Sequence, residues 1–556
     1  MPVPPSTAPF DKDYAPTLPN LIHAAVEQHG DREFLVMGDR RLTFRDAASQ
    51  SAELAKGLLA LGVGKATRVG LLMPNEPDWV LNYFALARIG AFTVTLSTFY
   101  QASEISWGVR FNDVDTLIIS KEYLKNDYIE RLERAIPGLA QQTSTDLHLP
   151  THPYLRRIIV WGDCDRPWAM PGRDAILDAA KRKPQIDDAF LAAVEANVTP
   201  ADLLLTICTS GSTAEPKAVV HTHGTAVRTV NLFAYYQQLR PTDRFWSGFA
   251  FFWIGGHNSG ILPCLFAGAS LYFTKTPKPE EVVDLILREK ITIVTSWPSQ
   301  QQGIAIQARK LGVTLDSLRR GGGPARGEGG ETLPAERICH PLGMTESFGM
   351  HSIELYGAVM PPGKIKTFGR HLPGVERLVI DPETGREVGP GEHGELYVRG
   401  QSLMAGYYKR EREETFTRDG YFPTGDLVSI DEDDFLYFHG RHTEMIKTSG
   451  ANVSPREVEV VMQTFPGVRE AIVFGLPDPV KGEVVVAVVV PVDGHTLDGE
   501  DLKTRLKQEV SPYKVPQQIT VLPYDKIPRT GSEKAIKREL KEIITKGASL
   551  DRRQPA

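Results

Sequence analysis

The residues with the clearest chemical potential lie in one short segment that follows the apolar residues 203–208. The segment combines hydroxyl side chains, a glycine and a lysine: Thr209, Ser210, Gly211, Ser212, Thr213 and Lys217. Hydroxyl and backbone N–H groups can surround phosphate oxygens, and a lysine adds positive charge. The GxxxxGK[ST] spacing of a Walker A loop is absent. The segment therefore predicts a phosphate-binding loop of another kind, although a polar turn after a buried strand explains it equally well.

Three later segments carry residues that suit the same kind of ligand. Thr345 and Glu346 offer hydroxyl and carboxylate oxygens, which are the hard ligands that Mg²⁺ prefers. Asp426 and Arg441, 15 positions apart, offer a carboxylate for ribose hydroxyls and a cation for the same nucleotide. Lys534 follows a turn that contains proline and glycine near the end of the chain. Each of these, taken alone, is more often a turn, a surface ion pair or a solvated side chain.

Together and in this order, the four segments resemble the adenylate-forming superfamily of acyl- and aryl-CoA synthetases, luciferases and peptide-synthetase adenylation domains. The resemblance covers about residues 31–540. It implies an α/β fold: a large N-terminal part of two α/β subdomains plus a β-rich subdomain, hinged to a small α+β C-terminal domain. It also implies ATP, Mg²⁺ and coenzyme A as cofactors and cosubstrates, with a small-molecule carboxylic acid as the substrate.

The resemblance implies a role for each matching residue. Lys534 would contact the carboxylate and the α-phosphate during adenylation, and Glu346 would be both catalytic and the Mg²⁺ ligand. The residues implied to bind ATP are Thr209, Ser210, Gly211, Ser212, Thr213, Lys217, Gly322, Gly323, Pro324, Thr345, Asp426 and Arg441. The acid pocket would be lined by Trp253, His257 and Gly343. Coenzyme A would face Ser449, Gly450 and Ala451.

Several positions depart from the family pattern: Ala214, Ala218, Leu342, Thr443 and Glu533. The two alanines replace glycines in and after the phosphate loop, and Leu342 replaces an aromatic ring that commonly stacks on adenine. Thr443 replaces a charged residue at the implied hinge. Glu533 replaces a glycine, and its carboxylate could compete for the charge of Lys534 or restrict the loop.

The aromatic run at residues 249–258 corresponds to the acid pocket of the relatives. Members that activate amino acids place an aspartate here to hold the substrate ammonium group, and this run has no carboxylate. The sequence therefore predicts an acid without an α-amine, either aryl or short- to medium-chain aliphatic. A buried strand and turn is the competing interpretation of the run.

The activity implied is ATP-dependent acid–CoA ligation. The acid would be activated as an acyl-adenylate with release of pyrophosphate, and then transferred to coenzyme A with release of AMP. The sequence is expected to contain the full small domain without a carrier domain, which favours coenzyme A as the acceptor. Two alternatives stay open: an enzyme that loads a carrier protein or another acceptor, and a nucleotide-binding pseudoenzyme of the same fold.

His221 and His223 form an HxH pair just after the loop, but a metal site needs a third ligand. Their position next to the phosphate loop explains the pair equally well.

The surrounding sequence predicts the elements that position these motifs. Helices at residues 45–61 and 79–89 alternate with apolar strands, which is typical of a parallel sheet covered by helices. Strands of this first layer are predicted at residues 69–73, 92–96 and 116–119. A second α/β layer is predicted with strands at residues 203–208, 270–274 and 292–296. A β-rich subdomain is predicted with strands at residues 377–380, 395–399 and 435–438.

The last part of the chain predicts a compact α+β domain, with strands at residues 470–475 and 483–490 and a helix at 502–508. The predicted domains are an extended lead-in (1–20), an N-terminal AMP-binding domain (21–441) and a mobile C-terminal domain (442–556). The hinge is expected near residues 441–443.

Composition bounds the class of protein. The 556 residues are 41% hydrophobic and 24% charged, as in ordinary soluble proteins. A net charge of −6 provides no general basic field, so no nucleic-acid partner is expected. No apolar run approaches the roughly 20 residues that cross a bilayer. Four separated cysteines without a CxxC pair favour a reducing cytosol, and the sequence leaves the oligomeric state open.

Overall fold

The computed structural model describes most of the chain: residues 12–209, 217–321, 332–334, 338, 340–441, 446–448, 451–453, 455–478, 481–510, 514–530 and 533–551. Some of the residues singled out above lie outside these ranges: Ser210, Gly211, Ser212, Thr213, Ala214, Gly322, Gly323, Pro324, Thr443, Ser449 and Gly450. Their roles stay predictions.

Helices and strands alternate along much of the described chain. The α-helices are α1 (Leu18–His29), α2 (Phe44–Ala60), α3 (Pro77–Arg88), α4 (Ala102–Phe111), α5 (Tyr128–Ala135), α6 (Gly172–Arg182), α7 (Asp188–Ala196), α8 (His223–Tyr236), α9 (Ile254–Gly256), α10 (Leu262–Ala267), α11 (Pro279–Glu289), α12 (Pro298–Leu311), α13 (Pro455–Gln463), α14 (Gly499–Glu509) and α15 (Lys537–Asp551). None of them combines the length and apolar composition needed to cross a bilayer, within the residues described.

The strands are β1 (Glu33–Met37), β2 (Arg40–Thr43), β3 (Arg68–Leu72), β4 (Phe92–Thr95), β5 (Thr116–Ser120), β6 (Glu122–Tyr123), β7 (Asn126–Asp127), β8 (Arg157–Trp161), β9 (Ala169–Pro171), β10 (Leu203–Thr209), β11 (Lys217–Thr222), β12 (Arg244–Ser247), β13 (Ser270–Tyr272), β14 (Ile293–Thr295), β15 (Leu342–Met344), β16 (Gly349–Ile353), β17 (Arg370–His371), β18 (Val375–Ile380), β19 (Gly394–Gly400), β20 (Gly406–Tyr407), β21 (Phe422–Ile430), β22 (Leu436–Arg441), β23 (Ile446–Thr448), β24 (Ala451–Val453), β25 (Val468–Asp478), β26 (Gly482–Pro491) and β27 (Gln518–Val521).

The described chain forms two compact units. The first comprises the residues up to Glu376 together with Arg399–Phe422, and the second comprises Arg377–Val398 together with the residues from Pro423 onward. The predicted mixed α/β architecture is confirmed by the sheets of the two units. The predicted domain boundary at residue 441 stays a prediction.

Two α/β sheets build the first unit. One has the order β20-β11-β10-β4-β3-β5-β8-β9, and the other has the order β14-β12-β13-β1-β2. Helix α3 is buried along nearly its whole length, and its side chains join a core that includes strand residues of both sheets. Local sequence starts the covering helices: Thr43 and Asp46 form a capping box at the start of α2.

The parallel strands predicted for both layers are confirmed, but one strand was assigned to the wrong layer. β10 pairs in parallel with β4 of the first sheet, where Thr206 lies opposite Val94. The second sheet takes β1 instead, which pairs in parallel with β13. Apolar patterning identifies a strand, whereas its neighbours depend on pairing between distant segments. The pattern therefore could not show which sheet residues 203–208 join.

The second unit contains most of a four-stranded sheet (β18-β19-β21-β22) and a second sheet in the order β24-β23-β26-β25, with β27 on β26. The predicted strand at residues 483–490 is confirmed within β26. Its run of valines is continuous because both faces are buried: Val485 and Val489 pack in one cluster, and Val486 and Val490 in another.

A buried ion pair ties together helices of the first unit. Arg88 at the end of α3 and Glu195 in α7 are 3% and 8% exposed, and Arg88 Nη1 donates to the Glu195 carboxylate. Arg88 also donates from Nε to Ser51 Oγ (3.2 Å), and His23 Nε2 lies 2.6 Å from Glu195 Oε2. The pair stabilises the unit only while both charges are present, since either charge alone would be buried without compensation.

Replacing Glu195 with glutamine is expected to lower the free energy of unfolding by about 3 kcal/mol, because Arg88 keeps its buried charge and loses its counter-ion. Urea denaturation followed by tryptophan fluorescence measures the change. Asp284→Asn is the matched control: it removes an exposed i,i+4 pair with Arg288 and should cost less than about 0.5 kcal/mol. Equal losses for the two variants would contradict a special role for the buried pair.

Candidate active site

The two ends of the predicted phosphate loop meet at one position of a β-hairpin. Thr209 lies directly opposite Lys217 in the antiparallel register of β10 and β11. The Thr209 hydroxyl donates a hydrogen bond to the Lys217 carbonyl (Oγ1···O 3.5 Å). The first sheet therefore fixes where the chain leaves β10 and where it returns to β11.

Tyr407 connects Lys217 with Glu346, although the three residues are far apart in sequence. Lys217 Nζ lies 4.9 Å from the centroid of the Tyr407 ring, and the Tyr407 hydroxyl donates to Glu346 Oε1 (2.7 Å). Tyr407 is held in place because β20 pairs with β11, opposite Val219. The Lys217 ammonium group and the Glu346 carboxylate thus both contact one buried tyrosine, the first at its ring and the second at its hydroxyl. This combination suits a phosphate that carries a divalent cation.

Backbone hydrogen bonds hold the turn that carries Glu346. Thr345–Ser347 form a 3₁₀ turn, and the Met404 N–H donates to the Glu346 carbonyl (2.7 Å). Ser347 Oγ donates to the Gly349 carbonyl (2.6 Å). Phe348 ends the turn with φ of 52°, in the left-handed region that residues other than glycine rarely adopt. Contacts within the protein therefore hold this turn in place.

His221 supports the same turn from β11. Its Nε2 lies 2.8 Å from the Thr345 carbonyl oxygen, so Nε2 carries the proton and donates it. Burial lowers the pKa of His221 to about 4, against a smaller opposite effect of this hydrogen bond. The imidazole is thus a neutral donor at neutral pH and positions Thr345 without adding charge.

The two histidines of the HxH pair bind different backbone groups. The His223 Nδ1 accepts a hydrogen bond from the Leu18 N–H (3.2 Å), whereas His221 binds the carbonyl of Thr345. Burial lowers the pKa of His223 to about 3. Two buried neutral rings with separate backbone partners are explained by packing.

Acid is expected to destabilise the protein through these two histidines. The unfolded rings take up protons near pH 6.5, whereas the folded pKa values are about 4 and about 3. The stability that the neutral rings contribute is therefore present above pH 6.5 and is lost as the pH falls toward the folded values. The urea midpoint should fall between about pH 7 and about pH 5, and less steeply in His223→Asn. A midpoint that rises with acidification, or equal slopes in both proteins, would contradict this origin.

The aromatic run near the predicted acid pocket is not a strand. β12 ends at Ser247, and helix α9 begins at Ile254, so the strand part of the competing interpretation was wrong for the residues between them, whereas the buried Phe251 and Phe252 do lie in a turn. The Asn75 side chain replaces sheet pairing: its Nδ2 donates to the Phe249 carbonyl (2.8 Å), and its Oδ1 accepts from the Phe251 N–H (2.8 Å). One asparagine thus satisfies buried backbone that a neighbouring strand would otherwise pair.

Trp253 belongs to a cluster of aromatic rings around this turn. Its ring centroid lies 5.0 Å from Phe252, 5.7 Å from Phe99 and 6.0 Å from Trp297. The Phe249 ring lies 5.0 Å from Trp297. We call these five residues the aromatic cluster. It offers flat apolar surface and no charged group.

His257 lies deeper in the core than Trp253. It is fully buried, with its ring edge-on to Trp79 (5.4 Å) and Tyr83 (5.0 Å). Burial lowers its pKa to about 3, so the ring is neutral. Gly343 lies in β15 where a Cβ atom would be 2.0 Å from the Gly349 carbonyl, so only glycine allows the two strands to pair. The predicted pocket roles of His257 and Gly343 stay predictions.

Asp426 and Arg441 lie opposite each other in the second unit, in the antiparallel register of β21 and β22. Asp426 is buried, and its N–H donates to Thr424 Oγ1 (3.1 Å). The structure therefore brings together two residues that the resemblance associates with one nucleotide. Their contacts with that nucleotide stay predictions.

Lys534 is exposed on a hairpin of the second unit. The preceding Glu533, where the resemblance implies a glycine, has φ of 63°. A non-glycine residue in this left-handed region costs about 1–2 kcal/mol, and the surrounding contacts must compensate for it. Ala451 begins β24 opposite Thr448 in β23. The contact of Ala451 with coenzyme A stays a prediction.

The donor set in the first unit fits Mg²⁺ carried by a nucleotide. Mg²⁺ keeps several waters and usually takes one or two carboxylates together with substrate phosphates. Glu346 offers such a carboxylate, and the Tyr407 hydroxyl orients it as outer-shell groups orient metal ligands. Among the residues that the structure describes, no group of three or more His, Cys, Asp or Glu side chains could hold a metal ion. Most ligands at Glu346 would therefore come from phosphate and water.

Two protein-family models match the chain. Residues 22–408 match the AMP-binding enzyme model, and residues 457–534 match the AMP-binding enzyme C-terminal domain. The chain belongs to the AMP-binding enzyme family. The predicted membership of the adenylate-forming superfamily is confirmed, and the chain is an enzyme by family.

Individual relatives are similar in sequence to this AMP-binding enzyme over nearly its whole length. It is 29% identical to a feruloyl-CoA synthase of Amycolatopsis, over 93% of this chain and 96% of that protein. It is 26% identical to a mitochondrial medium-chain acyl-CoA ligase of Danio rerio, over 96% of this chain and 89% of that protein. The crystal structure of an anthranilate CoA ligase in complex with anthranoyl-AMP has a TM-score of 0.79, with 22% identity, 98% of this chain covered and 100% of the other. That similarity shows the fold.

Sequence reasoning assigned no role to three residues that contact candidate site residues of this AMP-binding enzyme or their neighbours. Tyr407 connects Lys217 with Glu346, and Tyr524 and Arg529 contact the segment next to Lys534. Tyr407 lies in an unremarkable tyrosine pair, and nothing in its neighbours indicates a site. Arg529 lies in the segment with proline and glycine that precedes Lys534, so that segment was the one available signal.

Proposed function

We propose that the chain is an ATP-dependent acid–CoA ligase. It activates a carboxylic acid without an α-amine as the acyl-adenylate, releases pyrophosphate, and transfers the acyl group to coenzyme A with release of AMP. The observation that carries the proposal is the placement of Lys217 and Glu346 on one buried tyrosine beside the ends of the phosphate loop. Family membership and the names of the relatives support it.

The first half-reaction joins two anions, so the site must neutralise charge and align the reactants. Lys217 lies where the chain returns from the loop and can bind a phosphate oxygen, and Glu346 would hold the Mg²⁺ of the nucleotide. When bound, Mg²⁺ withdraws charge from the phosphates. Lys534 would bind an oxygen of the carboxylate and an oxygen of the α-phosphate. A carboxylate oxygen then attacks the α-phosphorus, and the bond to pyrophosphate breaks.

The second half-reaction needs a different arrangement. The thiol sulfur of coenzyme A attacks the acyl carbon, its proton is released, and AMP leaves with the bonding electron pair. We expect this step to depend less on Lys534, because the attacking thiol is neutral and approaches the acyl carbon, so no anion has to approach the phosphate. The two half-reactions therefore depend differently on Lys534.

The aromatic cluster favours an aryl acid over an aliphatic one. Its rings offer flat apolar faces at Trp253 and Trp297, against which a planar ring can stack for about 1 kcal/mol beyond burial. An acid with an ammonium group would find no carboxylate among the five cluster residues.

A panel of aryl, alicyclic and aliphatic acids, supplied with ATP and coenzyme A, tests the function. We expect equal amounts of acyl-CoA, AMP and pyrophosphate, with the best rates for aryl acids. Without coenzyme A, pyrophosphate should stop at about one equivalent per protein, since the adenylate stays bound. Continued release on adding a carrier protein, but not coenzyme A, would favour the other acceptor. ATP binding without pyrophosphate from any acid would favour a pseudoenzyme.

A further inference from the structure

The hairpin that carries Lys534 is closed by main-chain hydrogen bonds. The Ile536 N–H donates to the Pro528 carbonyl (2.8 Å), and Arg529 forms an antiparallel bridge with Ala535. At its tip, the Thr530 N–H donates to the Lys534 carbonyl (2.8 Å). The backbone of Lys534 is thus part of a tight turn, and the conformation of this turn decides where the ammonium group points.

Glu533 is the strained position of this turn, and its side chain and carbonyl are both bound. With φ of 63°, it has the backbone conformation that glycine adopts most easily. The Tyr524 hydroxyl donates to Glu533 Oε2 (2.9 Å), and Arg529 Nη1 donates to the Glu533 carbonyl (2.8 Å). These two contacts can hold the turn in the shape that its sequence disfavours.

Tyr524 is itself fixed by two arginines. The guanidinium carbon of Arg469 lies 4.0 Å from the Tyr524 ring centroid, and that of Arg529 lies 4.1 Å from it. Arg529 also forms an ion pair with Glu470, which is next to Arg469 in β25. The tyrosine is therefore anchored to a long strand of the second unit, and cation–π contact favours this placement.

We propose that Tyr524 and Glu533 form a clamp that positions Lys534 for adenylation. Tyr524 is a positioning residue that acts through Glu533, and the inference rests on the proposed function. The clamp also directs the Glu533 carboxylate to the Tyr524 hydroxyl, so that the Lys534 charge stays available for the substrate anions. The Glu533 carboxylate, where the resemblance implies glycine, thus helps to position Lys534 and does not compete for its charge.

Amide hydrogen exchange of residues 528–536 tests the clamp without any substrate. Tyr524→Phe keeps the ring in contact with the two arginines and removes only the hydroxyl. We expect exchange in this peptide to accelerate about 10-fold, with the β25 and β26 peptides unchanged. Unchanged exchange at residues 528–536 would overturn the clamp whatever the activity of the protein.

The half-reactions test the positioning role. Tyr524→Phe should slow adenylation about 10-fold and leave thioester formation from supplied acyl-adenylate and the melting temperature unchanged. Tyr421→Phe is the matched control, because the Tyr421 hydroxyl also donates to a glutamate (Glu376, 3.2 Å) and its ring also lies under an arginine (Arg399, 4.4 Å). The control should change neither half-reaction. The positioning role is overturned if Tyr524→Phe slows both half-reactions equally. It is also overturned if Tyr524→Phe and Tyr421→Phe slow adenylation equally.

A double-mutant cycle shows whether Tyr524 acts through Glu533. Glu533→Gln keeps an acceptor for the Tyr524 hydroxyl and should retain most of the adenylation rate. Glu533→Gly removes this acceptor. In the Glu533→Gly background, Tyr524→Phe should have no further effect. If the double variant instead loses adenylation rate by the product of the two single-variant factors, the coupling is overturned. If exchange responds as expected but the wild-type protein releases no pyrophosphate from any acid, the clamp stands and the proposed function fails.

Discussion

Replacing Lys534 with alanine should slow adenylation by about 100-fold to 1,000-fold, the range found when one donor to a developing charge is removed. Thioester formation from supplied acyl-adenylate should stay within about twofold, because a neutral thiol attacks the acyl carbon and no anion has to approach the phosphate. Lys534 is exposed, so its removal leaves no cavity. Rapid-quench measurement of pyrophosphate and of acyl-CoA separates the two steps.

Lys507→Ala is the control for this experiment, because Lys507 is also an exposed lysine of the second unit and lies on α14. It should leave both half-reactions unchanged. Equal losses of adenylation and thioester formation in Lys534→Ala would contradict the assigned role and indicate damage to the unit as a whole.

Replacing Glu346 with glutamine should slow adenylation by about 100-fold, because the cation of the nucleotide loses a negatively charged ligand. The Tyr407 hydroxyl can still donate to the amide oxygen, so the turn keeps its shape. The Mg²⁺ concentration that gives half the maximal rate should rise about 10-fold. Initial rates of pyrophosphate release over a Mg²⁺ titration measure both effects.

Tyr407→Phe separates orientation from charge at the same position. It leaves the Glu346 carboxylate intact and removes the hydroxyl that orients it, so adenylation should fall by only about 10-fold. An unchanged Mg²⁺ dependence in Glu346→Gln would show that this carboxylate does not hold the cation.

Local sequence predicted the elements of the fold well and their partners less well. The alternating helices and strands, and the valine strand β26, follow from apolar patterns that each segment carries by itself. The membership of β10 in the first sheet depends on β4, a distant segment that its pattern does not identify. The aromatic run does not form a strand, and the Asn75 side chain hydrogen-bonds to the backbone of Phe249 and Phe251 where a neighbouring strand would otherwise do so.

The candidate site shows the same division. Thr209 and Lys217 are separated by a short loop, and their pairing follows from the hairpin. Tyr407 was beyond prediction, because its contact with Glu346 spans 61 residues and neither residue type marks the other. Glu533 was recognised as unusual from sequence, but its φ value and its hydrogen bond with Tyr524 are three-dimensional facts.

The backbone between residues 404 and 408 has a consequence for redesign. The N–H groups of Met404, Ala405 and Tyr408 donate to the carbonyls of Glu346, Val220 and Ala218, respectively. This short stretch therefore sets the spacing between Glu346, the proposed magnesium ligand, and β11 through peptide groups, which most substitutions leave unchanged. The turn before Trp253, which is the proposed acid-pocket residue, is held separately by hydrogen bonds from Asn75 to the backbone of Phe249 and Phe251. Substrate range should accordingly be open to laboratory evolution while nucleotide handling stays intact, provided that proline is kept out of those three positions.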